Sequence, residues 1–293
     1  MAQTQVIQRR IRSVRNAGQI TKALEVVAAS RMRRIQGSVE RVRRYAQVAD
    51  TIMRRIAPSQ EAKAHPYFKA GGGKTRLYII FNSDRGQAGA FNSNIFAQAH
   101  RSFIQDKADG FKSAAIVFGR KGTGHFARLA EVEMVGAYEN IDDIPEANTF
   151  APVLGALQDG FDDNEFESVH IIHTEFISSL SQKVTQSPLL PISLPETDDT
   201  GQKTEDVKVY EFEPNIDAVL EEALRIYFEA RLMAARVESA ASEYSMRMIA
   251  MGNANRNARE LEDDLTLELN SVRQAAITQE IAEITGGAEA VTA

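Results

Sequence analysis

The sequence predicts an α/β head on a small, largely parallel sheet, together with a long antiparallel two-helix coiled coil formed by the N- and C-terminal helices. Two observations carry that expectation. Apolar and small residues recur at alternating steps of four and three along both ends of the chain, and the middle alternates strand-like with helix-like runs.

The N-terminal helix is expected over Gln3 to Ile56, with a seam of Ile35, Val39, Val42, Ala46, Ala49, Met53 and Ile56. The C-terminal helix is expected from Pro214 to about Thr285, its seam running from Ile216, Leu220, Ala223, Tyr227 and Ala230 through Ala234, Val237, Ala241 and Tyr244 to Met248 and Met251. At ~1.5 Å per residue these are rods of roughly 80 Å and 105 Å, far beyond an ordinary globular helix. One enters the middle and the other leaves it, so the simplest pairing is antiparallel. With Ile56 opposite Pro214, the N-terminal helix would end opposite roughly residue 267, leaving about 18 residues of the last helix alone. There Val272, Ala276, Ile277, Ile281 and Ile284 form one apolar stripe that needs a partner's cover.

The expected division is 1–57 for the first coiled-coil helix, 58–74 for a linker, 75–212 for the head and 213–293 for the last helix and tip. Within the head, Arg76–Asn82, Ala114–Phe118, Val169–Phe176 and Val207–Phe212 read as strands, and Asn92–Phe103 and Thr149–Phe161 as helices. Asp198–Glu205 reads as a polar loop.

Composition narrows the function classes. No run of about 18 apolar residues spans a membrane, the start of the chain lacks a secretory signal, and the chain has no cysteine, which excludes disulfides, thiolate metal sites and a thiol nucleophile. The five histidines are scattered, and His170 and His173, three apart on a strand, point to opposite faces. Net charge is −6, yet residues 1 to 55 carry thirteen Lys plus Arg against three acids. Acids on the last helix offset part of that excess. Arg31, Arg33, Arg34, Arg41, Arg43 and Arg44 are expected to remain unpaired and to meet acidic surfaces of other chains rather than nucleic acid.

The glycine motifs do not make a nucleotide site. Gly71 to Thr75 (GGGKT) ends like a P-loop but has Phe68 where a glycine is required, and it precedes a strand. Gly119 to Gly124 (GRKGTG) lacks dinucleotide spacing and reads as a tight strand-to-helix turn. Ser83 to Gly86 (SDRG) reads as a turn fixed by an Asp84/Arg85 pair. No nucleophile, base and orienting acid assemble, and neither a cofactor nor a metal is expected.

Five stretches carry a family resemblance: Ile20 to Met32 (ITKALEVVAASRM), Ser83 to Gly86, Phe118 to Gly122 (FGRKG), Ala241 to Met251 (ASEYSMRMIAM) and Arg273 to Glu280 (RQAAITQE). Together they resemble the gamma subunit of F-type ATP synthase over the whole chain. The resemblance implies a non-catalytic central-stalk rotor of a proton-translocating enzyme, whose coiled coil turns inside a hexamer of alpha and beta subunits. Its head would rest on the membrane ring of c subunits and on epsilon. It implies that Arg273 and Gln274 engage a beta-subunit catch, that Lys22, Arg31 and Arg33 face the acidic lever of beta, and that Ile277, Ile281 and Ile284 ride in an apolar collar. Tyr210, Glu211, Phe212 and Glu213 match the foot on the c ring and epsilon. The implied place is peripheral, on the cytoplasmic face of a bacterial inner membrane. Two departures are visible: Gln87-Ala88 stands where the family often has Leu-Cys, and the cysteine-bearing chloroplast insertion is absent. The competing reading is a coiled-coil tether with an α/β head.

Overall fold

The computed structural model describes residues 2–146, 148–193, 213 and 215–292. The chain divides into two compact units, residues 29–246 and residues 1–28 with 247–293.

In the first unit one sheet orders everything else. Strands β1 (Thr75–Phe81), β2 (Lys112–Phe118), β3 (Val132–Tyr138), β4 (Phe166–Phe176) and β5 (Gln182–Leu190) lie in the order β3-β2-β1-β4-β5. The first four are parallel, and β5 returns antiparallel along β4. Successive side chains on a strand point to opposite faces, so β1 feeds two cores. Leu77, Ile79 and Phe81 pack with α5 (Ala151–Asp162), with the last turns of α1 (Ala2–Ile56) and with the first part of α6 (Ile216–Thr292). Tyr78 and Ile80 pack instead with α3 (Phe91–Asp109) and with Phe126 of α4 (Arg120–Phe126).

The apolar runs that predict β1, β2 and β4 are central strands, and each extends one to three residues beyond its expected start. β3 and β5 go unpredicted because they are edges. β5 exposes Lys183, Gln186 and Pro188, and β3, buried only at Val132, alternates exposed with half-buried positions through Gly136. The expected strand Val207–Phe212 and loop Asp198–Glu205 lie outside the described residues. Helix α3 runs six residues past Phe103, through a polar segment, to Gly110, whose φ of 84° ends it in the left-handed conformation. Residues 58–74 contain α2 (Gln60–Ala64), capped by the Ser59 side chain, and a 3-10 turn at Pro66–Phe68. Gly71 and Gly73 precede β1, where a Cβ would collide with the carbonyls of Phe166 and Glu165. They are close-approach glycines of a turn.

All seven predicted seam residues of α1 are buried. Their partner helix is antiparallel: Arg31 meets Tyr244, Arg43 meets Glu238, and Asp50 lies 3.7 Å from Arg231, so position falls on one helix as it rises on the other. The expected register is corrected. Continuing the spacing at ~3.6 residues per turn brings Ile56 level with about residue 225 rather than Pro214. The first turns of α6 are engaged elsewhere, with Leu220, Ala223 and Leu224 in the core beside Tyr67, Leu157 and Phe161.

Between Arg236 and Ser245, α6 is buried at every position, more than a two-stranded seam requires. The cause is the sheet. β4 extends past Ile172, its last partner on β1, leaving backbone groups at Thr174 and Phe176 without a ladder on that side. Ser239 Oγ accepts from Thr174 N, Ser242 Oγ donates to Thr174 O, and Glu238 accepts from Phe176 N. Short side chains on α6 let helix and strand end approach closely enough for those bonds, which satisfy otherwise orphaned backbone groups.

The expected row of unpaired arginines is also corrected. Arg43 donates Nε and Nη2 to the two oxygens of Glu238 at 2.9 and 2.8 Å, and Nη2 to Phe176 O. Arg31 donates to Tyr244 Oη at 2.8 Å, Arg41 to Ser38 and Arg44 to Glu40, while Arg34 lies 3.9 Å from Asp143. Arg43 and Arg34 thus meet acids distant in sequence and Arg31 a distant hydroxyl, whereas Arg41 and Arg44 are held by their own helix and Arg33 stays exposed.

Candidate functional site: the helical tip

Two places invite a functional reading: the carboxyl ends of the strands, where an α/β sheet ordinarily binds ligands, and the end of α6. The first is closed. Asp84, expected to pair with Arg85, accepts from the backbone N–H of Arg120 at 3.0 Å and of Asn140 at 3.1 Å. A carboxylate therefore already occupies the amide donors that would otherwise hold a phosphate, and it would repel one. Asn92 and Ser83 bond to each other and pin the same loop, with Ser83 Oγ also donating to Arg85 O. Ala88 is buried in the core beside Phe91, following Gln87 at φ 65°. Gly119 adopts φ 102°, and a Cβ there would strike the Asn82 carbonyl. Gly119→Ala is expected to lower stability by about 2 kcal/mol or more in urea unfolding; a change below about 0.5 kcal/mol would refute that role.

Histidine placement agrees with the expectation of opposite faces. His170 stacks on Tyr78, whereas His173 lies against Thr185. The histidines are not all scattered, however: His100 Nε2 and His125 Nε2 meet at 2.9 Å across α3 and α4, with His125 stacked 4.0 Å from Phe96. No group of three or more His, Asp or Glu residues able to hold a metal occurs among the described residues.

The tip belongs to the second unit. Here the first part of α1, to residue 28, pairs antiparallel with α6 from residue 247 onward until α1 runs out. Arg15 bonds Glu262 at 2.7 to 2.8 Å, Asn255 donates to Gly18 O, and Glu25 lies beside Gly252. Gly18 faces Ala258 so closely that even an added Cβ would be in tight contact. Small residues therefore draw the backbones together, and Ile7, Met251 and Leu265 are buried in the seam. Following the same register, Gln3 comes level with about residue 274 at ~3.6 residues per turn. The overhang thus begins near residue 275 rather than 267, because the helices are offset from the expected pairing.

Beyond that point Ile277, Ile281 and Ile284 are 47%, 57% and 72% exposed. An apolar stripe of this spacing on a helix in water signals a missing partner. Arg273 and Gln274 sit at its base, exposed, and neither side chain has a partner among the described residues. Lys22 bridges to Glu25 at 3.2 Å and remains half exposed. Arg31 and Arg33 belong to the other unit; Arg31 is engaged by Tyr244, and Arg33 is exposed. Of the foot residues, Glu213 is exposed, and Tyr210, Glu211 and Phe212 lie outside the described residues. Missing from the expectation was a second apolar surface. Val14, Ala23, Val26 and Val27 line a groove of about 640 Å³ with Ala258, and Val26 and Val27 are more than half exposed. Ala23, Val26 and Val27 fall off the four-three spacing that runs from Ile35 back through Ala28 and Val14, and that misfit is the signal a sequence reading can use.

Comparison with known proteins gives one consistent result. A family model described as ATP synthase matches residues 3–291. The ATP synthase gamma chain of Desulforamulus reducens is 36% identical over 291 residues, covering 99% of this chain and all of the relative. That of Clostridium beijerinckii is 35% identical over 285 residues, covering 97% and 96%. Among solved structures, the fold is similar to a chain in the central stalk and c-ring of the Tetrahymena thermophila mitochondrial ATP synthase, with a TM-score of 0.62, 21% identity, and 80% of this chain and 99% of that one covered. A chain of the Euglena gracilis mitochondrial ATP synthase matches with a TM-score of 0.63 at 18% identity, covering 99% and 95%.

Proposed function

This chain belongs to the ATP synthase gamma-chain family, a subunit of an enzyme complex rather than a catalyst in itself, and we propose that it works as the central-stalk rotor of a proton-translocating F-type enzyme. The exposed apolar stripe of Ile277, Ile281 and Ile284 is the observation that carries this reading, since it calls for a sleeve supplied by other chains. The proposed sleeve is the alpha/beta hexamer. Arg273 and Gln274 engage a catch on beta, and Lys22, Arg31 and Arg33 face its acidic lever. Residues 75–212 serve as the head, and Glu213 with residues 210–212 forms the foot toward epsilon and the c ring. The complex sits on the cytoplasmic face of the bacterial inner membrane. That peripheral reading is supported by the finding that no helix among the described residues is long and apolar enough to cross a membrane.

The proposed mechanism needs no reacting group in this chain. Proton flow turns the ring and the ring turns the stalk, whose orientation biases each beta subunit among discrete states of nucleotide affinity. This is coupling between distant sites through an element that both ends contact. Stiffness suits such an element, and the buried seam of α1 supplies it. Asymmetry suits it too, and two unlike helices meet that requirement.

The chain alone is expected to hydrolyse no ATP, and with alpha and beta subunits to form a complex that survives gel filtration, its members identified by mass. A stable lone dimer that ignores alpha and beta would sink the rotor reading in favour of a tether.

A further inference from the structure

Two imidazole rings meet head-on where α3 and α4 pack together. His100 of α3 and His125 of α4 bring their Nε2 atoms to 2.9 Å. Their ring centres are 5.2 Å apart and the ring planes cross at 86°. That separation is the N–N distance plus the centre-to-nitrogen length of each ring, so both nitrogens lie on the line joining the centres and the bond is straight. One ring donates its Nε2–H and the other accepts at Nε2.

This geometry limits how many protons the pair holds. A first added proton goes to Nδ1 of the donor ring, on its outer side, and leaves the bond intact as imidazolium donating to imidazole. A second has only the acceptor's Nε2, which lies inside the bond, and two N–H groups then point at each other. The surroundings also oppose two charges. His125 lies flat on Phe96 at 4.0 Å, His100 meets Phe103 and Phe126, and the core beneath is formed by Ala115, Val117, Val132 and Met134. Burial lowers the His125 ring from its ordinary value, and His100 and Arg128 lower it further. On the elements around the pair the cations are Arg128 past the end of α4, Lys121 one turn before His125, and Arg101 beside His100, whose guanidinium bonds Gln98. Of the acids, Glu131 is bridged to Lys107, Asp106 is held by Arg76, Tyr78 and Ser113, and Glu133 is exposed on β3.

We propose that His100 and His125 form a pH-sensitive fastener, which holds α4 on α3 while the pair carries at most one added proton and lets go when both rings are charged. Helix α4 is seven residues long, too short to stay helical without its packing. It also carries the N–H groups of Arg120 and Lys121, which donate to Asp84 and to Ser83 O, so release loosens residues 83–86 as well. In an opened chain both rings take a proton below about pH 6.5, whereas the closed pair resists the second. The open form thus binds more protons in acid, and closure is lost as pH falls below that value. The fastener does not depend on the rotor reading.

The test uses the full chain at constant ionic strength. The ring C–H resonances of His100 and His125, assigned through their contacts with Phe96 and Phe126, are expected to titrate in two steps that both rings report, separated by about one pH unit or more. Amide protection over residues 120–126, corrected for the intrinsic pH dependence of exchange, is expected to fall about tenfold or more between about pH 7 and about pH 5. In His125→Gln an amide keeps a bonding partner for His100 and takes up no proton, so protection should change less than about threefold over the same range. Should that variant fail to fold, the titration and exchange of the native chain decide. One common step for both rings, unchanged protection in the native chain, or the same fall in the variant would each overturn the fastener.

Discussion

Replacing Asp106 by Ala is expected to cost about 3–5 kcal/mol of stability, measured by urea unfolding of the purified chain. Asp106 is only 1% exposed, on α3, and all its bonds go to the sheet beneath. Its Oδ1 accepts from Arg76 at 3.0 Å and from Tyr78 Oη at 3.0 Å, and its Oδ2 accepts from Ser113 at 2.7 Å. One carboxylate thus ties α3 to β1 and β2. Tyr78 is shifted upward by burial first and then by Asp106, so the phenol stays protonated and serves as a donor. Removing the acceptor orphans two buried hydroxyls, each costing about 1–3 kcal/mol.

Arg76 decides how much more is lost. It retains Asp109 at 2.9 Å and Glu167 at 3.2 Å, and it lies over the Phe111 ring at 4.0 Å, so its charge is not stranded by the change. The loss should therefore come from the hydroxyls and the cavity, and a second substitution can show it. Tyr78→Phe in the Asp106→Ala background removes one orphan and is expected to recover about 1 kcal/mol or more. If the single variant lost less than about 1 kcal/mol, or the second change deepened the loss, Asp106 would not be the fastening that its geometry indicates.

This cluster was invisible in the sequence, and the reason is general to the chain. Arg76, Asp106 and Glu167 are 30 and 61 residues apart, so nothing local marks them as partners. The Arg43–Glu238 pair is likewise 195 residues apart, which is why arginines expected to be free proved engaged. What was legible follows from periodicity. The seam of α1 lies against one partner, so its seven buried positions repeat at the coiled-coil interval. The matching stretch of α6 is packed on both sides, and its seam is diluted by Ser239, Ser242 and Ser245. Central strands announce themselves by continuous apolar runs, whereas β3 and β5 carry polar residues because one side of each is unpaired. The tip was legible because an uncovered helix still shows its stripe. The helix offset was not, since it depends on how far Leu220 and Leu224 bury in the head core before pairing begins.

The functional counterpart lies at the other end of α6. Arg273→Ala with Gln274→Ala is expected to lower ATP turnover by the assembled complex about tenfold or more, while circular dichroism of the chain is unchanged. The fold should survive because both side chains are exposed, neither holds another described residue, and alanine favours a helix. Turnover should fall because a charge-assisted bond is worth about 1.5–3 kcal/mol, and about 1.4 kcal/mol in a barrier is tenfold in rate. Arg273→Lys alone separates charge from shape. Lysine keeps the cation but loses the planar fork that binds a carboxylate through two N–H groups, so a catch read by geometry should remain impaired, whereas a merely electrostatic contact should recover. Unchanged turnover in the double variant would remove the catch from this pair and leave the stripe of Ile277, Ile281 and Ile284 as the part of the tip that the sleeve grips.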